Sequence, residues 1–123
     1  GIVEATIALH YVFNSPIDKI VFDVSHQSYP HKILTGRKNG FLEDSQLYHW
    51  SGYTNPNESE HDFFTVGHTS TSVSLACGLA KARDVLHQSG NVIALIGEAQ
   101  SAAAKRWKVS AMPQPQTATS LLL

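Results

Sequence analysis

Two short polar segments combine residue types that could bind an anionic ligand. Residues 67–72, Gly-His-Thr-Ser-Thr-Ser, place an imidazole and four hydroxyls where a predicted strand turns into a predicted helix. A helix amino terminus offers unpaired N–H groups and a favourable dipole to an anion, and hydroxyls add donors for phosphate oxygens. The alternative is structural, with Thr69 and Ser70 capping the helix while Ser72 and Ser74 face solvent.

The second segment, Asp-Val-Ser-His-Gln-Ser-Tyr-Pro-His-Lys at 23–32, places two histidines and a lysine at another predicted strand end. It is either part of a ligand site or a polar loop whose histidines are satisfied by neighbouring groups. A zinc site is not predicted, because the chain has no Cys-x-x-Cys or His-Glu-x-x-His motif. Glu58, Glu60 and Asp62 are predicted to lie in a solvated loop rather than to act as paired acid and base.

The elements that would position these segments can be predicted from apolar periodicity. Apolar residues at near-helical spacing predict a helix at the start of the chain, which Asn14-Ser15-Pro16 ends. Strands are predicted at 19–24, 62–67 and 91–97, and a helix at 70–88, where small residues permit close approach to a sheet. Residues 25–62 are expected to form a loop layer over one end of the sheet.

This alternation of helices and strands predicts an α/β fold with a parallel sheet, in which ligands bind beyond the carboxyl ends of the strands. The length allows one domain at most. A net charge of -1 gives no reason to expect nucleic acid or a membrane as partner. The single cysteine, Cys77, is expected to be a reduced, buried thiol, which fits a cytoplasmic location. The first residue is not methionine, so we expect the chain to be cut from a longer protein.

Long strings of the sequence carry a family resemblance. "GIVEATIALHYVFNSPIDKIVFDVSHQSYPHKILTGRK", "ESEHDFFTVGHTSTSVSLACGLAKARD" and "NVIALIG" closely resemble the amino-terminal part of the 1-deoxy-D-xylulose-5-phosphate synthase family, which is thiamine-diphosphate dependent and transketolase-like. The resemblance covers about residues 1–97. It implies a partial, parallel-sheet domain that binds the diphosphate side of the cofactor, followed by a non-homologous tail at 98–123 that we expect to be disordered.

The resemblance also implies site residues. His26 matches the histidine of the family's His-Gln-x-Tyr-Pro-His-Lys motif, which reaches the cofactor region. Gly67, His68 and Thr69 match a Gly-His-Ser segment that lies against thiamine diphosphate, with threonine here in place of the usual serine. Glu98 stands where the family has the aspartate that binds Mg²⁺. Glutamate is one methylene longer and fits the strict octahedral geometry of Mg²⁺ poorly.

A lost base within codon 98 would explain why the resemblance stops there. Each original codon would then consist of the last base of one present codon and the first two bases of the next. Trp107 and Lys108 give GAA, glutamate, and Met112 and Pro113 give GCC, alanine; both fit the family's helix. Glu98 written GAG also restores the second glycine of the family's Gly-Asp-Gly. We hypothesise that residues 98–123 are an out-of-frame tail, the alternative being a genuinely different carboxyl terminus.

For the intact protein the resemblance implies a homodimeric transferase that condenses pyruvate with glyceraldehyde 3-phosphate, using thiamine diphosphate and Mg²⁺. The product, 1-deoxy-D-xylulose 5-phosphate, serves isoprenoid and thiamine biosynthesis. The chain by itself is expected to be inactive. The alternatives are a non-enzymatic, anion-binding α/β module and one half of a split transketolase-like enzyme.

Overall fold

A computed structural model describes residues 1–47, 49–96 and 119–122. In chain order, it contains helix α1 (Ile2–Val12), strand β1 (Lys19–Phe22), the short helices α2 (Tyr29–Lys32) and α3 (Asn39–Leu42), helix α4 (Ser72–Val85), and strands β2 (Val92–Ile96) and β3 (Thr119–Leu122). Single helical turns at Ser25–Gln27 and Asp44–Gln46, and a kinked segment at Ile33–Arg37 in which Thr35 and Gly36 are not helical, complete the layer between β1 and α4. The predicted helices at the start of the chain and at 70–88 are thus confirmed, as are the strands at 19–24 and 91–97.

The three strands form one parallel sheet in the order β1-β2-β3. Lys19 pairs with Val92 and Phe22 with Leu95, so β1 and β2 are in register over the whole of β1. Ile93 pairs with Thr119 at the start of β3. The α/β class with a parallel sheet is therefore confirmed. The rest of the predicted tail, from Glu98 to residue 118 and Leu123, lies outside the described residues.

Side chains alternate between the two faces of the sheet, because successive residues of a strand point in opposite directions. One face carries Val21 and Ala94 of the strands and packs against α4, whose Ala76 and Ala80 are buried there. The small alanine side chains let the helix approach the sheet closely. Cys77, predicted to be buried, is only partly so and packs at the edge of this cluster.

The other face of the sheet packs against α1. Ile20, Phe22 and Ile93 are buried there together with Leu9 of the helix. The sheet is thus covered by α1 on one side and by α4 on the other. All five residues of β2 are buried, as expected for a parallel strand covered on both faces.

The strand predicted at 62–67 is wrong. Residues 63–69 have no regular secondary structure, and β1 pairs directly with β2. The backbone of this segment bonds outside the sheet: the Phe64 carbonyl accepts from the hydroxyl of Thr54 at 2.6 Å, and the Val66 carbonyl accepts from the Ser25 N–H at 3.2 Å. With its carbonyls engaged in this way, the segment is held without a ladder.

Candidate functional site

The two polar segments noted in the sequence meet at the carboxyl end of β1. Asp23 follows β1 directly, and its N–H donates to the Leu95 carbonyl at 2.9 Å, which continues the pairing with β2. Two residues later, both the N–H and the hydroxyl of Ser25 donate to the Val66 carbonyl. The segment carrying His26 is thereby fixed beside the segment that begins at Gly67.

A second connection runs through the buried carboxylate of Asp23. Its Oδ2 accepts from the Ser70 N–H at 3.0 Å, and its Oδ1 accepts from the N–H groups of Thr71 and Ser72, both at 3.1 Å. The hydroxyl of Ser72 also donates to Oδ1, at 2.8 Å. One side chain at the end of β1 therefore satisfies the amino terminus of α4, 47 to 49 residues away in sequence.

This arrangement corrects the capping predicted for residues 67–72. Neither Thr69 nor Ser70 caps the helix; the N-cap residue is Thr71, whose side chain makes no cap hydrogen bond. The backbone donors expected to receive an anion are occupied by Asp23 instead. An external phosphate there would also meet the negative charge of that carboxylate.

The four residues predicted to contact the cofactor lie in the two loops that these bonds join. His26, Gly67, His68 and Thr69 are all exposed. The loop at 68–71 is closed by the hydroxyl of Thr71, which donates to the His68 carbonyl at 3.1 Å. Their role toward a cofactor stays a prediction, as does that of Glu98, which lies outside the described residues.

Gly67 is not required by the packing of the described residues. A Cβ atom added there would find the Tyr53 ring 3.8 Å away, an ordinary contact distance. The backbone at this glycine is open to solvent and has room for a close ligand. The exposed imidazoles and the hydroxyl beside it supply donors, so the residues present fit a phosphorylated heterocyclic cofactor.

A separate group of charged side chains lies behind the loops, and we call it the buried charge cluster: His31, Lys32, Arg37, Glu58 and Asp62. The guanidinium of Arg37 contacts both oxygens of Asp62, at 2.6 and 2.9 Å. Lys32 Nζ donates to Glu58 Oε2 at 2.7 Å. The prediction that Glu58 and Asp62 lie in a solvated loop is therefore wrong: their side chains are 9% and 0% exposed.

The electrostatics of the cluster follow from this pairing. Burial acts to raise the pKa of Asp62, but hydrogen bonds from Arg37 and His31 outweigh it and hold that pKa well below its usual range. Burial likewise opposes ionisation of Glu58, while the hydrogen bond from Lys32 lowers its pKa. Both carboxylates are thus held in the charged form beside two cations, as a buried ion network requires.

A chain of imidazoles extends the cluster to α1. His31 Nε2 lies 3.0 Å from Asp62 Oδ1 and His31 Nδ1 lies 2.8 Å from His10 Nε2. Because the carboxylate only accepts, the Nε2 of His31 carries a proton; one of the two nitrogens His31 Nδ1 and His10 Nε2 donates to the other. Burial of the ring, together with the nearby His31 and His61, lowers the pKa of His10 to about 4. His31 is thus satisfied by neighbouring side chains, as the structural alternative for the segment at 23–32 expected.

The sequence reasoning missed Asp23. The available signals were an aspartate directly after a buried strand and a helix with no acidic residue in its first turn.

Of the helices in the described part of the chain, none has the length and apolar character needed to cross a membrane.

Comparison with known proteins gives one consistent family. A family model described as 1-deoxy-D-xylulose-5-phosphate synthase matches residues 1–119. The synthases of that name from Caldanaerobacter subterraneus subsp. tengcongensis and Desulforudis audaxviator are each 56% identical over 98 residues, which is 80% of this chain and 16% of the relative. The chloroplastic synthase 1 of Oryza sativa subsp. japonica is 50% identical over 108 residues, 88% of this chain and 15% of the relative.

The chain thus spans about a sixth of the length of these relatives. The family model extends past Gly97, the last residue of the predicted homologous domain. Since residues 97–118 lie outside the described part of the chain, that domain boundary stays a prediction.

Proposed function

The chain belongs to the 1-deoxy-D-xylulose-5-phosphate synthase family, and on this premise we propose that it supplies one wall of a thiamine-diphosphate site. The observation that carries the proposal is the junction of the segments at 23–26 and 66–72. It joins the loop that carries His26 to the loop that carries Gly67, His68 and Thr69, and all four residues are exposed near the carboxyl end of β1. This is where a parallel α/β sheet binds its ligands.

In the proposed site the imidazoles of His26 and His68 and the hydroxyl of Thr69 donate hydrogen bonds to the cofactor, while Gly67 permits close approach of its backbone. Mg²⁺ is the proposed counter-ion of the diphosphate, with residue 98 at the ligand position. Thiamine diphosphate supplies the carbanion chemistry when bound. The protein contributes orientation of the cofactor and exclusion of water.

For the whole protein we propose the family reaction, in which pyruvate and glyceraldehyde 3-phosphate are joined with loss of carbon dioxide. We also propose that this chain belongs to the domain that binds the diphosphate side of the cofactor. The whole protein is proposed to be a homodimer and to be located in the cytoplasm. The chain covers about a sixth of its relatives. For this reason, we expect it to bind the cofactor weakly by itself and to turn over no substrate.

A segment exchange tests the function of these residues within a full-length relative. Residues 1–96 replace the matching segment of the Caldanaerobacter synthase, and thiamine-diphosphate binding with Mg²⁺ is measured by calorimetry beside product formation. We expect binding and turnover, and a loss of about tenfold or more in affinity for His26→Ala and for His68→Ala, as for loss of a hydrogen bond to a charged group.

The matched control is His87→Asn, at an exposed histidine beyond the end of α4 whose φ of +53° asparagine also tolerates. It should leave affinity unchanged. A folded chimera that binds no cofactor would contradict the proposal. The competing anion-binding module is disfavoured by Asp23, because its carboxylate already holds the N–H groups on which such a module would depend.

A further inference from the structure

The carboxylate of Asp23 does two separable things with its two oxygens. Oδ1 accepts three hydrogen bonds from Thr71 and Ser72, which begin α4. Among the described residues, Oδ2 accepts one hydrogen bond, from the N–H of Ser70. One oxygen therefore caps the helix, while the other holds the last residue of the loop that precedes it.

Ser70 is the residue in that loop that needs such a restraint. Its φ is +63°, in the left-handed region that residues with a Cβ atom rarely adopt. A strained conformation persists only where the surroundings enforce it. The charge-assisted bond at 3.0 Å to a carboxylate that is itself 3% exposed is such an enforcement.

We propose that Asp23 is a positioning residue for the proposed cofactor site: through Ser70 it fixes the loop at 67–69 against the segment that carries His26. The role of Asp23 toward a cofactor rests on the proposed function, whereas its hydrogen bonds to the loop do not depend on that function. Asp23 lies three residues before His26, and Ser70 directly follows Thr69. A shift at the bond between them therefore changes the spacing of the two walls of the site.

Asp23→Asn separates the two roles because asparagine is isosteric with aspartate. Its oxygen can keep the three bonds at the helix start, whereas its amide group places a donor against the N–H of Ser70. The measurement is amide hydrogen exchange of the full chain, read residue by residue. We expect exchange at Ser70 and at 67–69 to accelerate by about tenfold, the effect of one lost bond to a charged acceptor. Exchange in β2 should not change.

Two further variants separate an effect on the loop from an effect on the start of α4. Ser72→Ala removes only a hydroxyl donor to Oδ1, so it should weaken the start of α4 without accelerating exchange at 67–70. Adding Ser70→Gly to the Asp23→Asn chain should restore part of the protection at 67–69, because glycine adopts a positive φ without steric cost.

Unchanged exchange at Ser70 in Asp23→Asn would overturn the proposal. So would equal acceleration at Ser70 and throughout β2, since that would show a general loss of stability. The readout needs no cofactor, so failure of the chimera to bind thiamine diphosphate would refute the proposed function and leave this result standing. If the chimera binds the cofactor and Asp23→Asn within it binds equally well, the function stands and the positioning role is refuted.

Discussion

Acidification should destabilise the protein through His10. Burial of this imidazole, together with its neighbours His31 and His61, lowers its pKa from 6.5 to about 4. In the unfolded chain a histidine keeps a pKa near its usual value, so the unfolded state takes up the proton first as the pH falls. The stability that the neutral ring confers is present above pH 6.5 and is lost as the pH falls towards 4.

The magnitude follows from the two pKa values. Between pH 7 and pH 4.5 the full shift corresponds to a loss of about 2.4 kcal/mol in the free energy of unfolding. Because the ring of His10 is only partly buried, solvent screening reduces the expected loss to about 1 kcal/mol. His10→Gln removes the titration of this ring, while its amide, which both donates and accepts, can still form a hydrogen bond with His31 Nδ1.

Urea unfolding of both proteins at the two pH values measures the effect. The parent should lose about 1 kcal/mol more than His10→Gln between pH 7 and pH 4.5, because only the parent carries the titrating ring. Asp62 is present in both proteins, so its response to pH largely cancels in the comparison; the coupling of His10 to His31 and His61 is part of the difference that is measured. His49→Gln, at an exposed histidine outside the buried charge cluster, should follow the parent. A His10→Gln protein that loses as much stability as the parent would refute the assignment.

Two further predictions concern packing and buried charge. Gly40→Ala should destabilise the protein by about 2 kcal/mol, because the new Cβ atom would lie 1.9 Å from Cδ1 of Trp50. Gly78→Ala should instead stabilise it by about 0.5–1 kcal/mol, because the new Cβ atom on α4 would meet open space. Equal unfolding midpoints for the two variants would contradict this. Asp62→Asn should lower the free energy of unfolding by about 3 kcal/mol, because it removes a counter-charge from a buried guanidinium. Asp84→Asn, at a carboxylate that is 39% exposed, should lower it by no more than about 1 kcal/mol. Urea unfolding measures both, and similar losses would show that the cluster does not depend on its charge pairing.

The parts of the fold that the sequence predicted correctly are those with a local signal. The strand at 19–24 and the strand at 91–97 are short apolar runs, and burial on both faces of a parallel sheet produces such runs. The helix over Ser72–Val85 was predicted from small and apolar residues at helical spacing. Its start was misplaced by two residues, because the true cap is supplied by an aspartate far away in sequence rather than by an adjacent hydroxyl.

The errors fall where distant residues decide the outcome. Glu58 and Asp62 stand in a stretch rich in polar residues, and nothing local distinguishes a solvated carboxylate from a buried one. Their burial depends on Lys32 and Arg37, which lie 26 and 25 residues earlier in the chain. The segment at 62–67 has the residue types of a strand, yet its backbone carbonyls accept from the Thr54 hydroxyl and from Ser25 rather than from a neighbouring strand.

The segment at 62–72 therefore depends on side chains for its position, and both the buried charge cluster and the Asp23 carboxylate bind it. The buried charge cluster holds its beginning, because Asp62 binds Arg37 through two contacts. Asp23 holds its end at residues 70–72. Between them the Val66 carbonyl accepts hydrogen bonds from Ser25, and Phe64 packs against the sheet. Since Gly67, His68 and Thr69 lie between these anchors, perturbing either carboxylate should alter the local order of the proposed site before it unfolds the sheet. Amide exchange should show Asp62→Asn loosening residues 63–66 and Asp23→Asn loosening residues 67–70.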